Sequence, residues 1–288
     1  MKAIGAIVHP TRPQAQRVLD ELRRAAEAHG MQVVELLGEE RLADPGPEPD
    51  VIVALGGDGT VLRAARVAAS RNLPLLGINL GHLGFLSSAD PGSLEATVDA
   101  LAAGTFTIES HMMLSCVASH GGTRLIGIDA LNEIVVERAT PSRVVHLVVS
   151  VGTEELTTCT ADGFIVATPT GSTAYSMSAG GPIVDPGLRV MILTPVCPHT
   201  PLWRAVVVGP EHPVVITVLD ATAVLSADGQ YVDGLPLGAQ LRVRPRPEPL
   251  RIIRLSGSGF FLRLRERFPA DFLPGGPSGP SGPAGPGG

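Results

Sequence analysis

The chain has 288 residues, 44% of them hydrophobic, and a formal net charge of −6. At roughly 150 residues per domain this length suggests about two domains, and the apolar fraction excludes a disordered chain. The negative balance excludes a general nucleic-acid binder, which needs a positive stripe to displace counterions from phosphates.

Residues 3–8 read as a short buried strand. Residues 13–29 read as a helix, with Val18, Leu22, Ala25 and Ala26 at helical spacing and Gly30 at its stop. A strand at 33–37 follows, then a loop at 41–50 rich in proline and acids. Residues 51–55 form a third apolar strand, 60–70 a helix, 73–79 a fourth strand and 94–102 a further helix. Strands alternating with helices predict parallel strands joined by right-handed crossovers.

Past residue 104 the texture changes. Short β-rich runs recur at 112–119, 134–137, 144–151, 164–167, 190–193, 205–208, 214–218, 241–243 and 250–255. Gly, Pro, Asp or Ser punctuates most of them, which predicts a mainly antiparallel sandwich. The expected division is an α/β domain over 1–105, a β-sandwich over 106–273 and a flexible tail, PGGPSGPSGPAGPGG, over 274–288.

Three cysteines, Cys116, Cys159 and Cys197, are too few and too far apart for a disulfide framework, which points to a reducing compartment. Cys197 and His199 form a lone C-x-H pair, short of the four ligands of a structural zinc site. MKAIGAIVHP lacks the long apolar region of a secretory signal. Residues 163–184, free of ionised side chains, hold too much Gly, Pro, Ser and Thr for a membrane helix. The expectation is a cytoplasmic, soluble protein with no membrane or nucleic-acid partner.

The first chemical motif is GGDGT, Gly56–Thr60, between a predicted strand and a predicted helix. That is the carboxyl edge of an α/β sheet, where ligands bind. Gly56, Gly57 and Gly59 permit positive φ and close approach of a phosphate, and the helix start offers N–H groups to an anion. The loop matches neither G-x-x-x-x-G-K-[ST] nor G-x-G-x-x-G, and it supplies no lysine. Asp58 would repel a phosphate unless a metal intervenes or the acid takes a proton from a substrate hydroxyl; both point to phosphoryl transfer. A helix cap or turn residue is the plainer reading of the same aspartate.

The second segment, ADGFIVATPTGSTAYSMSAGGPIVDP, covers 161–186. Hydroxyls at Thr170, Ser172, Thr173, Tyr175, Ser176 and Ser178 crowd one short loop, able to read several donors and acceptors at once. A Ser/Thr-rich turn would look the same. A helix is expected from about Thr173 to Gly180. Asn132-Glu133 opens a β-run and suits a ribose diol or a base edge, or is a polar strand edge. Asp228-Gly229 reads first as a turn. GINLGHLGFL, 77–86, is a second Gly-rich strand exit, in which Phe85 is core packing or a wall of the site. His9 and His82 show no base–orienter spacing.

Taken together these segments resemble the NAD kinase family across roughly residues 3–268. GGDGT is also similar to loops of diacylglycerol and sphingosine kinases and phosphofructokinases. The combination with GINLGHLGFL, Asn132-Glu133, TPTGSTAYSMSAGGPI and LTPVCPHT, in order and spacing, is specific. The resemblance implies a Rossmann-like N-terminal domain, a β-sandwich C-terminal domain and a homodimer or homotetramer. It implies NAD and ATP (or polyphosphate) as substrates, with a divalent metal, Mg²⁺, accompanying ATP and no protein metal ligand assigned.

By the same resemblance, Asp58 activates the adenosine ribose 2′-hydroxyl. Asn132, Glu133, Asp162, Thr170, Thr173, Ala174, Tyr175 and Ser178 belong to the dinucleotide site, which Phe85 lines, while Gly56, Gly57, Gly59 and Thr60 meet phosphates. Asp228 matches a residue that a neighbouring subunit can contribute. The chain departs from the family pattern at His9-Pro10, where many members have Asn-Pro, and at Pro201–Ala205. A lipid kinase on the same loop and a non-catalytic dinucleotide sensor are the competing readings.

Overall fold

The structure, a computed structural model, describes residues 1–36, 46–81, 84–199, 204–219, 223–255 and 259–268. His82, part of the 41–50 loop, most of the 201–205 run and the 274–288 tail lie outside the described residues.

The first sheet begins with β1 (Ala3–Val8), β2 (Gln32–Glu35), β3 (Val51–Gly56) and β4 (Leu75–Asn79). β1 pairs in parallel with β2 and β3, and β3 with β4. Helices α1 (Pro13–Ala28), α2 (Asp58–Ser70) and α3 (Leu94–Ala103) make the connections. Side chains alternate across a strand, and here both faces are covered. Ile4, Ala6, Val51 and Val53 pack with Val18 and Leu22 of α1 and Val98 of α3. Ile7, Ile52 and Ala54 pack with Val61, Ala64 and Ala68 of α2. Burial on both faces is why the strands read as continuous apolar runs. Pro13 at the first turn of α1 fixes φ where no amide partner is needed.

The chain then runs through β5 (Thr107–His111) into two six-stranded antiparallel sheets. Their strands are β6 (Leu114–His120), β7 (Thr123–Ala130), β8 (Glu133–Arg138), β9 (Val145–Val151), β10 (Glu154–Ala161) and β11 (Gly163–Ala167). After the short helix α4 (Tyr175–Ser178) come β12 (Met191–Val196), β13 (Val206–Val208) and β14 (Val214–Val218). β15 (Ala223–Ala227), β16 (Gln230–Leu235) and β17 (Gln240–Pro245) follow. One sheet has the order β10-β9-β14-β17-β6-β7 and the other β13-β12-β11-β8-β15-β16. Leu114, Leu147, Ile216 and Leu241 from the first interlock with Val136, Phe164, Leu193 and Leu225 from the second in one core. On the outer face of the second sheet, Val135, Ile165 and Ile192 pack under Ala179 and Val184, so the 170–184 segment lies over β8, β11 and β12.

β18 (Leu250–Arg254) returns to the first sheet. It lies parallel to β4 and antiparallel to β5, giving the order β2-β1-β3-β4-β18-β5. The first sheet therefore draws on both sides of the boundary expected between residues 105 and 106. Helix α5 (Phe260–Arg267) follows.

Candidate active site

β3 ends at Gly56, and α2 opens at Asp58 with Gly57 as its N-cap. None of Gly56, Gly57 and Gly59 takes a positive φ, contrary to the expectation for this loop. Closeness explains Gly56, since a β-carbon there would strike the side chain of buried Thr60. Around Gly57 and Gly59 the space is open, which leaves the first-turn amides accessible to a ligand.

Asp58 is the first helical residue and makes no side-chain cap bond. The capping alternative is thereby removed. Its carboxylate instead accepts backbone N–H groups of Phe85 and Leu86, at the second Gly-rich strand exit. Desolvation by the surrounding protein raises its pKa, while the Arg267 charge and the two amides pull it down. Arg267 comes from α5, which is seated on this loop by rings: Phe85 lies 6.4 Å from Phe260 and 6.5 Å from Phe268.

A cavity of about 350 Å³ opens beside Asp58, bordered by His9, Arg12, Thr60, Arg63 and Gln230. The GGDGT loop carries no cation, but the fold delivers two. Arg12 donates to the Leu80 carbonyl at 3.3 Å, and Arg63 donates to the Val8 carbonyl. Sequence reasoning missed both. For Arg63 the usable signal was its place on α2, one turn past Gly59; for Arg12 it was its position just beyond β1, at the carboxyl edge. A larger hollow, about 740 Å³, lies between α1 and α3 beside His29 and Asp99, and shares no residue with the GGDGT loop.

The second half of the site is built on β8 and the turn after β11. Asp228 has φ +50° and is buried. Its carboxylate accepts N–H groups of Leu131 at 3.0 Å, Asn132 at 2.7 Å and Glu133 at 3.4 Å. So the Asp228-Gly229 turn holds the Asn132-Glu133 corner of its own chain. Burial, offset by these amides, raises the Asp228 pKa. Glu133 is also buried and is pushed to about 8, first by desolvation and then by the Asp228 charge, while the Tyr175 N–H opposes the shift. A carboxyl in that state is neutral at pH 7 and offers an O–H donor.

Thr170–Thr173 form a 3-10 turn, and α4 begins at Tyr175, so the single helix expected from Thr173 to Gly180 is broken at Ala174. Gly171 passes so close to the Asn132 carbonyl that no β-carbon fits between them. Thr170 is buried, Thr173 Oγ1 donates to the Thr170 carbonyl at 3.3 Å, and Tyr175 and Ser178 are exposed. Asp162 is half-buried, 3.3 Å from an Arg138 nitrogen. Arg66 on α2 links the two halves: it donates to Gln230 at 2.9 Å and lies 4.0 Å from Asp228. Cys197 and His199 gather no metal-ligand cluster among the described residues.

Comparison with known proteins accords with this geometry. Residues 46–106 match the ATP-NAD kinase N-terminal domain and residues 131–255 the ATP-NAD kinase C-terminal domain. An NAD kinase of Symbiobacterium thermophilum is 40% identical over 93% of this chain and 99% of its own. One from Moorella thermoacetica is 45% identical over 93% of this chain and 89% of its own. Among solved structures, yeast NADH kinase complexed with NADH aligns with a TM-score of 0.84 at 24% identity, covering 93% of this chain and 87% of that one. An NAD kinase from Archaeoglobus fulgidus in complex with ATP aligns at 0.71 and 27% identity, covering 93% and 97%. With the GGDGT edge, the Asn132-Glu133 corner and these matches in place, the chain belongs to the NAD kinase family.

Proposed function

We propose that the chain transfers the γ-phosphoryl group of ATP to the 2′-hydroxyl of the adenosine ribose of NAD, forming NADP. One observation carries this reading: the Asp58 carboxylate, held by the Phe85 and Leu86 amides, faces a cleft edged by Arg12 and Arg63. The ribose oxygen attacks the γ-phosphorus in line, the bond from phosphorus to the β,γ-bridging oxygen breaks, and the hydroxyl proton passes to Asp58. A hydroxyl is far less acidic than a carboxylic acid, so this help comes late, as charge develops; such general-base help is typically worth about 10²–10⁴ in rate. A raised Asp58 pKa makes it a better base. Arg12, Arg63 and the open first-turn amides of α2 neutralise phosphate charge.

Gly56, Gly57, Gly59 and Thr60 meet the phosphates. Asn132, Glu133, Asp162, Thr170, Thr173, Ala174, Tyr175 and Ser178 hold the dinucleotide, with Phe85 at its edge. Asp228 acts through the Asn132-Glu133 corner it fastens. A magnesium ion arriving with the nucleotide would be held by the substrate phosphates and waters, with Asp58 the carboxylate that lines the cavity on the protein side. Magnesium commonly keeps waters and substrate phosphates as ligands, and it would supply charge neutralisation there. Three cysteines without a disulfide, two of them buried, suit a cytoplasmic setting. The family resemblance favours a homodimer or homotetramer, which sedimentation would read.

The test is purified protein with Mg-ATP and either NAD or diacylglycerol, followed by an NADP-specific dehydrogenase. NADP formed only with NAD supports the proposal. Phosphorylated lipid supports a lipid kinase, and NAD binding without turnover supports a sensor. Polyphosphate in place of ATP, and NADH in place of NAD, complete the panel.

A further inference from the structure

Thr170 begins the dinucleotide-side turn, and Leu86 donates one of the two amides that hold Asp58. A continuous run of polar contacts joins them, buried at both ends and partly exposed at Glu109 in its middle. Thr170 Oγ1 lies 2.8 Å from His111 Nδ1, and His111 Nε2 lies 3.3 Å from Glu109 Oε2. The same Glu109 oxygen accepts Arg254 Nε–H at 2.7 Å. Arg254 Nη1 then donates to the carbonyls of Leu86 at 3.2 Å and Ser87 at 3.4 Å and to Ser88 Oγ at 2.9 Å. His111 and Arg254 are 2% and 6% exposed.

The run is built on the two strands by which the chain leaves and re-enters the first sheet. Glu109 and His111 are on β5, Arg254 is on β18, and the two strands pair antiparallel with Glu109 opposite Ile252 and His111 opposite Leu250. Protonation states follow from the surroundings. Hydrogen bonds from His111 and Arg254 hold Glu109 at about 2, so it is ionised. Burial pushes His111 down, so its ring is neutral at neutral pH. Nε2–H therefore donates to Glu109, and Nδ1 accepts the Thr170 hydroxyl proton. The Thr170 oxygen is left with lone pairs only, an acceptor for a substrate N–H or O–H.

The Arg254–Glu109 pair is open to solvent on the Glu109 side, whose side chain is 39% exposed, and a pair partly screened by water adds little stability. What the Arg254 fork does supply is geometry, one edge on Glu109 and the other on three successive residues of the 86–88 loop. We propose that Arg254, Glu109 and His111 are positioning residues that set the Thr170 turn and the 85–88 loop in register, and through that loop the Asp58 carboxylate. This rests on the phosphotransfer reading above.

The experiment uses the full chain with Arg254→Met, His111→Phe, the two together, and Arg254→Lys. It reads kcat and KM for NAD, hydrogen exchange at the Phe85 and Leu86 amides, and the melting temperature. Each single variant is expected to lower kcat by about tenfold or more, as misplaced catalytic groups do, and to speed exchange at Phe85 and Leu86. The double variant is expected to be no worse than the worse single, because either cut severs the same run. Arg254→Lys is expected to restore part of kcat.

Single variants with wild-type kcat, or with wild-type exchange at Phe85 and Leu86, overturn the proposal, even if they melt earlier. So does a double variant whose loss equals the product of the two singles. If Arg254→Met does not fold, Arg254→Lys with His111→Gln carries the same comparison. A wild type that makes no NADP removes the phosphotransfer reading; unchanged exchange at the two amides in the variants removes the relay on its own.

Discussion

The Asp58 carboxylate lies against the α-carbon of Gly84, so close that a β-carbon there would collide with it. Gly84 directly precedes Phe85 and Leu86, whose amides hold the same carboxylate. The glycine is thus what lets the acid lie flat against its two donors. Gly84→Ala is expected to push the carboxylate out of place and lower kcat by roughly 10²-fold, the cost of about a 1 Å misplacement. Melting temperature is expected to change little, because Gly84 itself is only half-buried and the colliding group is the end of one side chain. Steady-state kinetics with a thermal melt checks it; a normal kcat would mean Asp58 tolerates other positions.

The first half of the fold was legible from periodicity. The strand predicted at 3–8 is β1, and the helix predicted at 13–29 ends within a residue of α1, because apolar spacing there has one explanation. In the sandwich, most predicted runs fall on strands with a buried face, β13 with its exposed Val207 being the exception, while β15, buried on one face, was not predicted. Strands such as β7, with its exposed Thr123-Arg124-Leu125 start, and β10, Glu154–Ala161, escaped notice because their solvent faces dilute the pattern. The return of β18 to the first sheet was invisible, since a run like LRIIR says nothing of its partner. At the site, motifs gave Asp58, Asn132-Glu133 and the Thr170–Tyr175 region. They did not give Arg12 and Arg63, which line the same cavity as Asp58, or Arg267, whose charge acts on it; only the fold brings these three there.

Arg267 lowers the Asp58 pKa against the upward push of desolvation. Arg267→Gln removes that opposing charge, so the carboxyl is expected to titrate at higher pH. General-base action needs the ionised form, so the acid limb of the kcat/KM profile should move to higher pH. A pH profile of wild type and variant checks the sign. An unmoved limb would mean that Arg267 does not act on Asp58.

Asp228 satisfies three backbone donors at the Asn132-Glu133 corner. A stranded buried donor costs roughly 1–3 kcal/mol, so Asp228→Ala is expected to destabilise the chain by at least about 2 kcal/mol. Asp228→Asn, which keeps an acceptor oxygen, should lose less. Urea unfolding of the two variants gives the comparison, and equal losses would point to the charge rather than the acceptor.

Glu133 should make stability depend on pH. Its folded pKa of about 8 stands above its ordinary value of 4.5. A group raised in this way contributes in full below about 4.5 and loses that contribution as the pH climbs toward 8. Glu133→Gln cannot ionise, so its stability relative to wild type should rise between pH 5 and pH 8. Denaturant midpoints across that range test this; a constant difference would mean that folding does not raise the Glu133 pKa.

The central claim, that this chain phosphorylates NAD with Asp58 as proton acceptor, is tested most directly by one measurement. NADP formation from NAD and Mg-ATP is followed in parallel for the wild type and Asp58→Asn. The account predicts ready turnover by the wild type and a loss of roughly 10² or more in the variant, with its melting temperature unchanged. An Asp58→Asn enzyme that turns over at the wild-type rate, or a wild type that binds NAD and makes no NADP, would contradict it.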